Sequence, residues 1–161
     1  MPIDFKFYRI LCCTPPDLED ERQVFESAVA QFVEQVSMPD GVLFAPASLR
    51  PPINAAVQKA VIESNRRTCE FFIQIFGEKS PDSVFSGFVE YALECAADPN
   101  LATRNVAVLF RNYDSAAPEL HLIRERLAAE GSCELRDFSD TLDLSEHLAN
   151  LLRAWYLPLR T

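Results

Sequence analysis

Glycine is scarce in this sequence, with four residues among 161. None of them falls in a G-x-G-x-x-G or G-x-x-x-x-G-K-[ST] pattern, in which backbone N–H groups hold the phosphates of dinucleotides or nucleoside triphosphates. The G-x-S-x-G pattern of serine hydrolases and the H-E-x-x-H pattern of zinc proteases are also missing. The sequence therefore disfavours the motif-bearing nucleotide-binding and hydrolase classes, and we expect neither a cofactor nor a metal site.

Paired cysteine spacing is absent too. The odd number of cysteines and the lack of C-x-x-C predict reduced, mostly buried thiols rather than a disulfide framework or a zinc ribbon. Cys12 and Cys13 are adjacent at the end of an apolar run, and successive strand residues point to opposite faces. We therefore interpret the pair as a strand end rather than a redox centre, and expect function to survive replacement of both by serine. The cysteines are Cys12, Cys13, Cys69, Cys95 and Cys133.

Basic charge is in deficit, with 15 Lys and Arg against 24 Asp and Glu, a net charge of −9 and a pI of about 4.7. Such a chain repels nucleic acid and anionic lipid, so neither is an expected partner. No apolar run approaches the roughly 18 to 20 residues of a membrane-spanning helix, and the N-terminus lacks a signal-peptide pattern. We expect a cytoplasmic protein with one domain over residues 1–161.

What the sequence does contain is a regular alternation of short apolar runs with longer segments of helical period. Thr14 is predicted to cap the first helix, with Pro15 in its first turn, and Gly131 to end the fourth. The predicted strands are residues 5–13, 41–45, 67–77, 105–111 and 133–138. The predicted helices are residues 15–36, 54–64, 85–98, 118–130 and a last one carrying Leu144, Leu148, Leu151, Leu152 and Trp155 on one face.

Five strand-helix units predict a three-layer α/β fold with a five-stranded, mainly parallel sheet. Residues 67–77 are almost continuously apolar, as expected of a central strand covered by helices on both faces. We expect the flavodoxin-like strand order 2-1-3-4-5. The predicted sheet core is Ile10, Phe72, Ile73, Ile75, Val106, Val108 and Leu109.

In a sheet of this order, ligands bind beyond the carboxyl ends of the first and third strands. Cys13 and Thr14 follow the first strand and Gly77 ends the third, so all three are candidate ligand-binding residues. Asp82 and Ser86 are further candidates that orient a ligand hydroxyl or cap the next helix. A flavin site needs a turn rich in glycine and hydroxyls here, and a phospho-accepting receiver needs acidic residues at both strand ends. The sequence favours neither.

Glu90 is the candidate catalytic residue, because it lies near the start of the helix that follows the predicted central strand. A carboxylate facing the cleft could stabilise the oxocarbenium-like transition state of N-glycosidic bond cleavage or attack the sugar. The alternative is a solvated glutamate favoured by the helix dipole. Glu63, Glu70 and Glu94 are rivals for the same role.

Two sequence blocks resemble the TIR-like domains of unknown function found at the N-termini of signalling NTPases and repeat proteins. The first is RILCCTPPDLEDER, in which the cysteines stand where serines are usual. It matches through Thr14, Asp17, Leu18, Glu21 and Arg22. The second is FFIQIFGEKSPDSVFSGFVEYALECA, which matches through Gly77, Glu90, Tyr91 and Ala92. The likeness spans residues 7–111.

The resemblance implies a TIR-like fold and leaves two functions open. The wider group includes NAD-cleaving enzymes and nucleoside deoxyribosyltransferases that use a glutamate on the corresponding helix, which implies a nucleotide or nucleoside ligand and a catalytic Glu90. Other members are signalling modules that bind a protein partner or self-associate. Glu78 and Lys79 stand where an arginine and a tyrosine are frequent, and Phe88 replaces a frequent acidic residue. Because groups that hold phosphate or ribose are missing, we favour the interaction module.

Overall fold

Five parallel strands form the centre of the computed structural model, which describes residues 4–49, 63, 68–81 and 83–160. They lie in the order 2-1-3-4-5, and each neighbouring pair is parallel. The predicted flavodoxin-like α/β fold is therefore confirmed. The strands are β1 (Lys6–Cys13), β2 (Val42–Leu49), β3 (Cys69–Phe76), β4 (Asn105–Arg111) and β5 (Glu134–Phe138).

Four α-helices in the described ranges cover the sheet. They are α1 (Glu19–Phe32), α2 (Ser83–Ala97), α3 (Pro118–Glu130) and α4 (Thr141–Tyr156). The helix predicted over residues 54–64 lies outside the described residues, except for Glu63, which is helical. No helix in the described part of the chain is long and apolar enough to span a membrane.

The two faces of the sheet carry separate cores. One face packs against α1 and α4, and its cluster includes Ile10, Phe25, Phe71, Ile73 and Trp155. The other face packs against α2 and α3 through two clusters that contain Phe72, Phe88, Val108, Leu120 and Leu127. All seven residues predicted to form the sheet core are buried. A sheet covered on both faces explains why β3 is almost continuously apolar.

The start of α1 differs from the prediction. Thr14 does not cap the helix, because α1 begins at Glu19 and its N-cap position is Leu18, without a side-chain cap. The Leu18 N–H donates to the Pro15 carbonyl at 3.1 Å, so the two prolines form a turn before the helix. Three consecutive acidic residues, Glu19 to Glu21, occupy the first turn, where the positive end of the helix dipole stabilises them.

The second strand is longer than predicted. It continues beyond Ala45 through Pro46 to Leu49. Pro46 has no N–H to donate, but β2 is an edge strand, where a missing donor can face away from the sheet. The predicted end of α3 is confirmed, since Gly131 follows the helix with a left-handed φ of 65° and donates its N–H to Leu127 O at 3.0 Å.

Candidate functional site

The carboxyl ends of β1 and β3 are neighbours, as the strand order predicts. Cys13, Thr14 and Gly77 are all buried at this edge. A Cβ added to Gly77 would lie 3.3 Å from Leu18 Cδ2, which is tighter than ordinary packing. Gly77 therefore allows the loops after β1 and β3 to pack against each other. We call this place, where residues 14–18 meet residues 77–79, the switch point.

The other predicted ligand-binding residues are less well defined. Asp82 lies outside the described residues, and Ser86 belongs to α2, where its side chain is not described. Their proposed roles stay predictions.

Cys12 and Cys13 end β1 on opposite faces of the sheet, as predicted. Cys12 belongs to the core beneath α1 and α4, and Cys13 to the core beneath α2. Neither forms a disulfide, and burial raises the pKa of Cys12 far above its ordinary value. A protonated buried thiol is a poor nucleophile, which supports the interpretation as a strand end. Serine at both positions would bury hydroxyls, so we expect that replacement to cost stability.

A cluster of charged and polar side chains joins three elements at the switch point. Arg111, at the end of β4, donates from Nη1 to Glu21 Oε1 on α1 at 2.5 Å. It also donates from Nε and Nη2 to both carboxylate oxygens of Glu78, at distances from 2.8 to 3.2 Å. Asn112 Nδ2 donates to Glu78 Oε1 at 2.7 Å. We call Glu21, Glu78, Arg111 and Asn112 the Arg111 cluster.

The Arg111 cluster is partly removed from solvent, which strengthens its electrostatics. The side chain of Glu21 is 6% exposed, and those of Glu78 and Arg111 are 27% and 24% exposed. The hydrogen bonds from Arg111 lower the pKa of Glu78 to about 2, with a further contribution from Asn112 and against the cost of burial. The same bonds raise the pKa of Arg111. Asn112 has a φ of 47°, a left-handed conformation that asparagine adopts more readily than most residues.

The low pKa of Glu78 predicts an acid-dependent loss of stability. A carboxylate whose pKa is lower in the folded than in the unfolded chain stabilises the fold above its unfolded pKa. That contribution is lost as the pH falls from the ordinary value of 4.5 towards about 2. We expect urea midpoints of the wild type to fall more steeply over this range than those of Glu78→Gln. Parallel curves for the two proteins would contradict the prediction.

A second arginine at the same edge is also held by carboxylates. Arg22 is buried on α1, donates from Nε to Glu19 Oε2 at 2.8 Å and pairs with Glu26 at 2.7 Å. These contacts, led by Glu19, raise the pKa of Arg22. Ser48 on β2 donates to Glu26 Oε1 at 3.3 Å. The guanidinium groups of Arg22 and Arg111 are therefore both bound to protein carboxylates.

Glu90 lies on the outer face of α2 rather than towards the switch point. Its Oε1 is 2.7 Å from Arg126 Nη2 on α3, and both side chains are about half exposed, at 56% and 48%. Helical register explains this position, because Phe88, Val89 and Ala92 face the sheet and Glu90 is on the opposite side of the helix. The expected orientation towards the cleft is therefore not observed, and a catalytic role for Glu90 stays a prediction.

Two of the rival glutamates lie away from the switch point. Glu94 lines the same shallow groove as Glu90, a space of about 390 Å³ between α2 and α3. Glu70 accepts a hydrogen bond from the Arg9 backbone N–H at 2.6 Å near the amino end of β3. Glu63 is exposed.

A groove of about 400 Å³ lies beyond the carboxyl ends of β4 and β5. Two of its carboxylates have structural partners: Asp137 pairs with Arg124 at 2.7 Å, and Asp143 accepts from the Ser139 backbone N–H at 3.0 Å. No group of three or more metal-ligating side chains is found among the described residues. The groove is lined by Asn112, Tyr113, Asp114, Ser115, Asp137, Phe138, Ser139 and Asp143.

Comparison with known proteins gives likenesses to solved structures alone. No family model matches the chain, and no curated protein matches its sequence. The metal-soaked Flv1 flavodiiron core from Synechocystis sp. PCC6803 is similar over 92% of this chain and 36% of that chain, with 13% identity and a TM-score of 0.49. This chain thus spans about a third of that protein's length. A likeness this distant carries no argument about function.

Proposed function

We propose that this chain is a TIR-like signalling or interaction module that acts by binding a protein, either a partner or a second copy of itself. The observation that carries the proposal is the set of contacts that joins the described loops at the switch point. The Arg111 cluster ties α1, the loop after β3 and the end of β4 together. Leu18 packs against Gly77, and Lys79 Nζ lies 3.8 Å from Asp17 on the neighbouring loop.

Charge also disfavours a nucleotide at the switch point. A nucleotide phosphate needs free donors, and the guanidinium of Arg111 already donates to Glu21 and Glu78. A phosphate entering here would have to displace one of these carboxylates and approach the other. The phosphate and the remaining carboxylate are both negative, and two like charges that close repel strongly when they are partly removed from water. Protein binding needs no such exchange, because it uses the outer surface.

The second candidate is an enzyme that cleaves or transfers at the N-glycosidic bond of a nucleotide or nucleoside through Glu90. That chemistry requires a carboxylate within reach of the ribose C1′ in a concave pocket. Glu90 instead pairs with Arg126 in a shallow groove on the outer face of the helices. We rank this function second for that reason.

A turnover assay separates the two functions. Product formation from NAD, nucleosides and deoxynucleosides is measured for the wild type and Glu90→Ala, with melting temperature followed in parallel. We expect no turnover above background from either protein and similar melting temperatures, because Glu90 is half exposed. The proposal would be contradicted by wild-type turnover that falls by about two to three orders of magnitude in folded Glu90→Ala, the scale of one catalytic group.

A further inference from the structure

The groove between α2 and α3, a space of about 390 Å³, is lined by both apolar and charged side chains. Its apolar residues are Leu93, Ala97 and Leu127, of which Leu127 is buried and Ala97 is exposed. α2 joins β3 to β4 and α3 joins β4 to β5, and these three strands are parallel. The two helices therefore run side by side in the same direction. We call this surface the α2–α3 groove.

The charges change along the α2–α3 groove. In one turn Glu90 on α2 pairs with Arg126 on α3 at 2.7 Å, so an ion pair of opposite charges spans the groove. Glu94 and Glu130 follow these two residues by four positions each, which is one helical turn or about 6 Å further along. Both glutamates line the groove and are exposed. The next turn thus has a carboxylate on each side, where the previous turn has a carboxylate and a guanidinium.

The turn that contains Glu94 and Glu130 is electrostatically unfavourable in one chain alone. Each glutamate lies in the last turn of its helix, where the negative end of the helix dipole disfavours a carboxylate. Neither last turn contains a basic residue. Among the residues described as lining the groove, Arg126 is the only basic one, and it already pairs with Glu90. Two carboxylates and two helix ends therefore all favour a cation at this place.

We propose that the α2–α3 groove binds a basic, amphipathic helix of a partner protein. An arginine or lysine of that helix lies between Glu94 and Glu130 and supplies the charge that Arg126 supplies one turn earlier. Apolar side chains of the same helix cover Leu93 and Ala97, as in other helix-in-groove complexes. The proposal rests on the interaction function and names the chemistry of the partner.

Other occupants complement the groove less well. Nucleic acid and phosphorylated segments carry the same sign of charge as the two glutamates. A small cation neutralises the glutamates but leaves the apolar side chains in water. A second copy of this chain carries a net charge of −9, and its own groove is acidic, so two copies repel each other here. A basic amphipathic helix matches both the charge and the apolar surface.

Peptide binding tests the charge and the shape of the partner. The probe is a fluorescein-labelled helical peptide of about 18 residues, five turns, with arginines and leucines on one face and alanines and glutamines elsewhere. The control peptide has the same composition in an order without an apolar face. Fluorescence anisotropy is measured in about 0.15 M salt, which screens long-range attraction. We expect a Kd of roughly 10 to 100 µM for the amphipathic peptide, as suits a shallow groove, and binding at least about tenfold weaker for the control peptide.

Matched protein variants locate the binding. The double variant Glu94→Gln and Glu130→Gln keeps the size of both side chains and removes both charges. We expect it to bind the amphipathic peptide at least about tenfold more weakly than the wild type does. The control double variant, Glu119→Gln and Glu125→Gln, removes two charges from exposed positions on α3 that do not line the groove. It should bind within about twofold of the wild type.

A second experiment tests the facing glutamates without a peptide. Urea midpoints are measured in low salt for Glu94→Arg, Glu130→Arg and the variant with both changes. Each single change replaces two like charges by an opposite pair, so we expect each midpoint to rise by about 0.2 M. The helix dipole alone predicts that the two gains add in the double variant. Facing side chains predict a midpoint clearly below that sum, because two arginines then repel each other.

Four results would each overturn the proposal. They are a wild type without saturable peptide binding up to about 500 µM, equal binding of the two peptides, unchanged binding by the Glu94→Gln and Glu130→Gln double variant, and additive gains in the arginine variants. Self-association of the wild type that this glutamine variant abolishes would assign the groove to a second copy instead. The turnover assay changes only Glu90, so failure of this surface and failure of the interaction function are distinguishable.

Discussion

Replacing Arg111 with methionine is expected to lower the free energy of unfolding by about 3 to 5 kcal/mol, the cost of leaving a buried carboxylate without its partner. Glu21 accounts for most of this cost, because its side chain is 6% exposed. Glu78 also loses its bidentate partner, although Asn112 still donates to it. Methionine keeps much of the volume of the arginine stem, so the loss reports on charge more than on packing.

Removing the whole cluster should cost less than removing the arginine. Replacing a buried ion pair together with its partners is often nearly neutral, because the desolvation penalty disappears with the charges. We therefore expect the triple variant Glu21→Gln, Glu78→Gln and Arg111→Met to recover most of the stability that the single variant loses. Arg111→Lys should lie between the wild type and Arg111→Met, since lysine keeps the charge but cannot form the bidentate pair.

Arg126→Met provides the matched control for Arg111→Met. It removes the same charge from an ion pair of 2.7 Å whose two side chains are about half exposed. Exposed pairs contribute about 0 to 1 kcal/mol, so this change should have little effect. The measurement is the free energy of unfolding in urea near neutral pH. Equal small losses in both variants would show that the Arg111 cluster does not stabilise the fold.

The sheet and most of the helices were predictable because local pattern and tertiary environment agree. β4 and α3 have the predicted bounds, residues 105–111 and 118–130. The strand is a short apolar run and the helix a segment of helical period, and the sequence marks where each ends. The first turn of α1 was not predictable from the same rules. Thr14 and the prolines have the residue types of a helix start, but tertiary packing buries Thr14 and moves the start to Glu19.

The position of the switch point followed from strand order, but its side-chain chemistry did not. The ends of β1 and β3 are neighbours because Cys13 pairs with Gln74 in adjacent parallel strands. The Arg111 cluster joins residues 90 and 33 positions apart, and no local pattern links such pairs. The outward direction of Glu90 was available in the sequence, because Phe88, Val89 and Ala92 already define the buried side of α2.

Trp155→Ala is expected to lower the free energy of unfolding by about 3 to 5 kcal/mol, as large-to-small changes of buried aromatic residues do. Trp155 is 3% exposed on α4 and stacks on Phe71 of β3, with ring centroids 4.8 Å apart and an angle of 11° between the planes. Phe71 in turn contacts Phe44 of β2 edge-on, at a centroid distance of 5.8 Å. The cavity would therefore open between α4 and the middle of the sheet.

Trp155→Phe separates the stacking from the indole nitrogen. Trp155 Nε1 is buried and has no hydrogen-bond partner in the described part of the chain. A phenyl ring keeps an aromatic contact with Phe71 and removes that unsatisfied donor, which offsets part of the volume lost. We expect Trp155→Phe to cost about 2 kcal/mol less than Trp155→Ala. Leu142→Ala, at a position that is 71% exposed on the same helix, is the control and should be close to neutral.

Thermal unfolding followed by circular dichroism measures all three variants. For a domain of this size, each kcal/mol corresponds to about 2 to 4 °C in Tm, so Trp155→Ala should lower Tm by roughly 10 °C. Tm should be highest for Leu142→Ala, lower for Trp155→Phe and lowest for Trp155→Ala. If Trp155→Phe is as destabilised as Trp155→Ala, the volume of the indole determines the stability of this core. Stacking on Phe71 and removal of the unsatisfied Nε1 donor would then contribute little. If Trp155→Ala unfolds near the wild-type temperature, α4 does not pack on Phe71 as described.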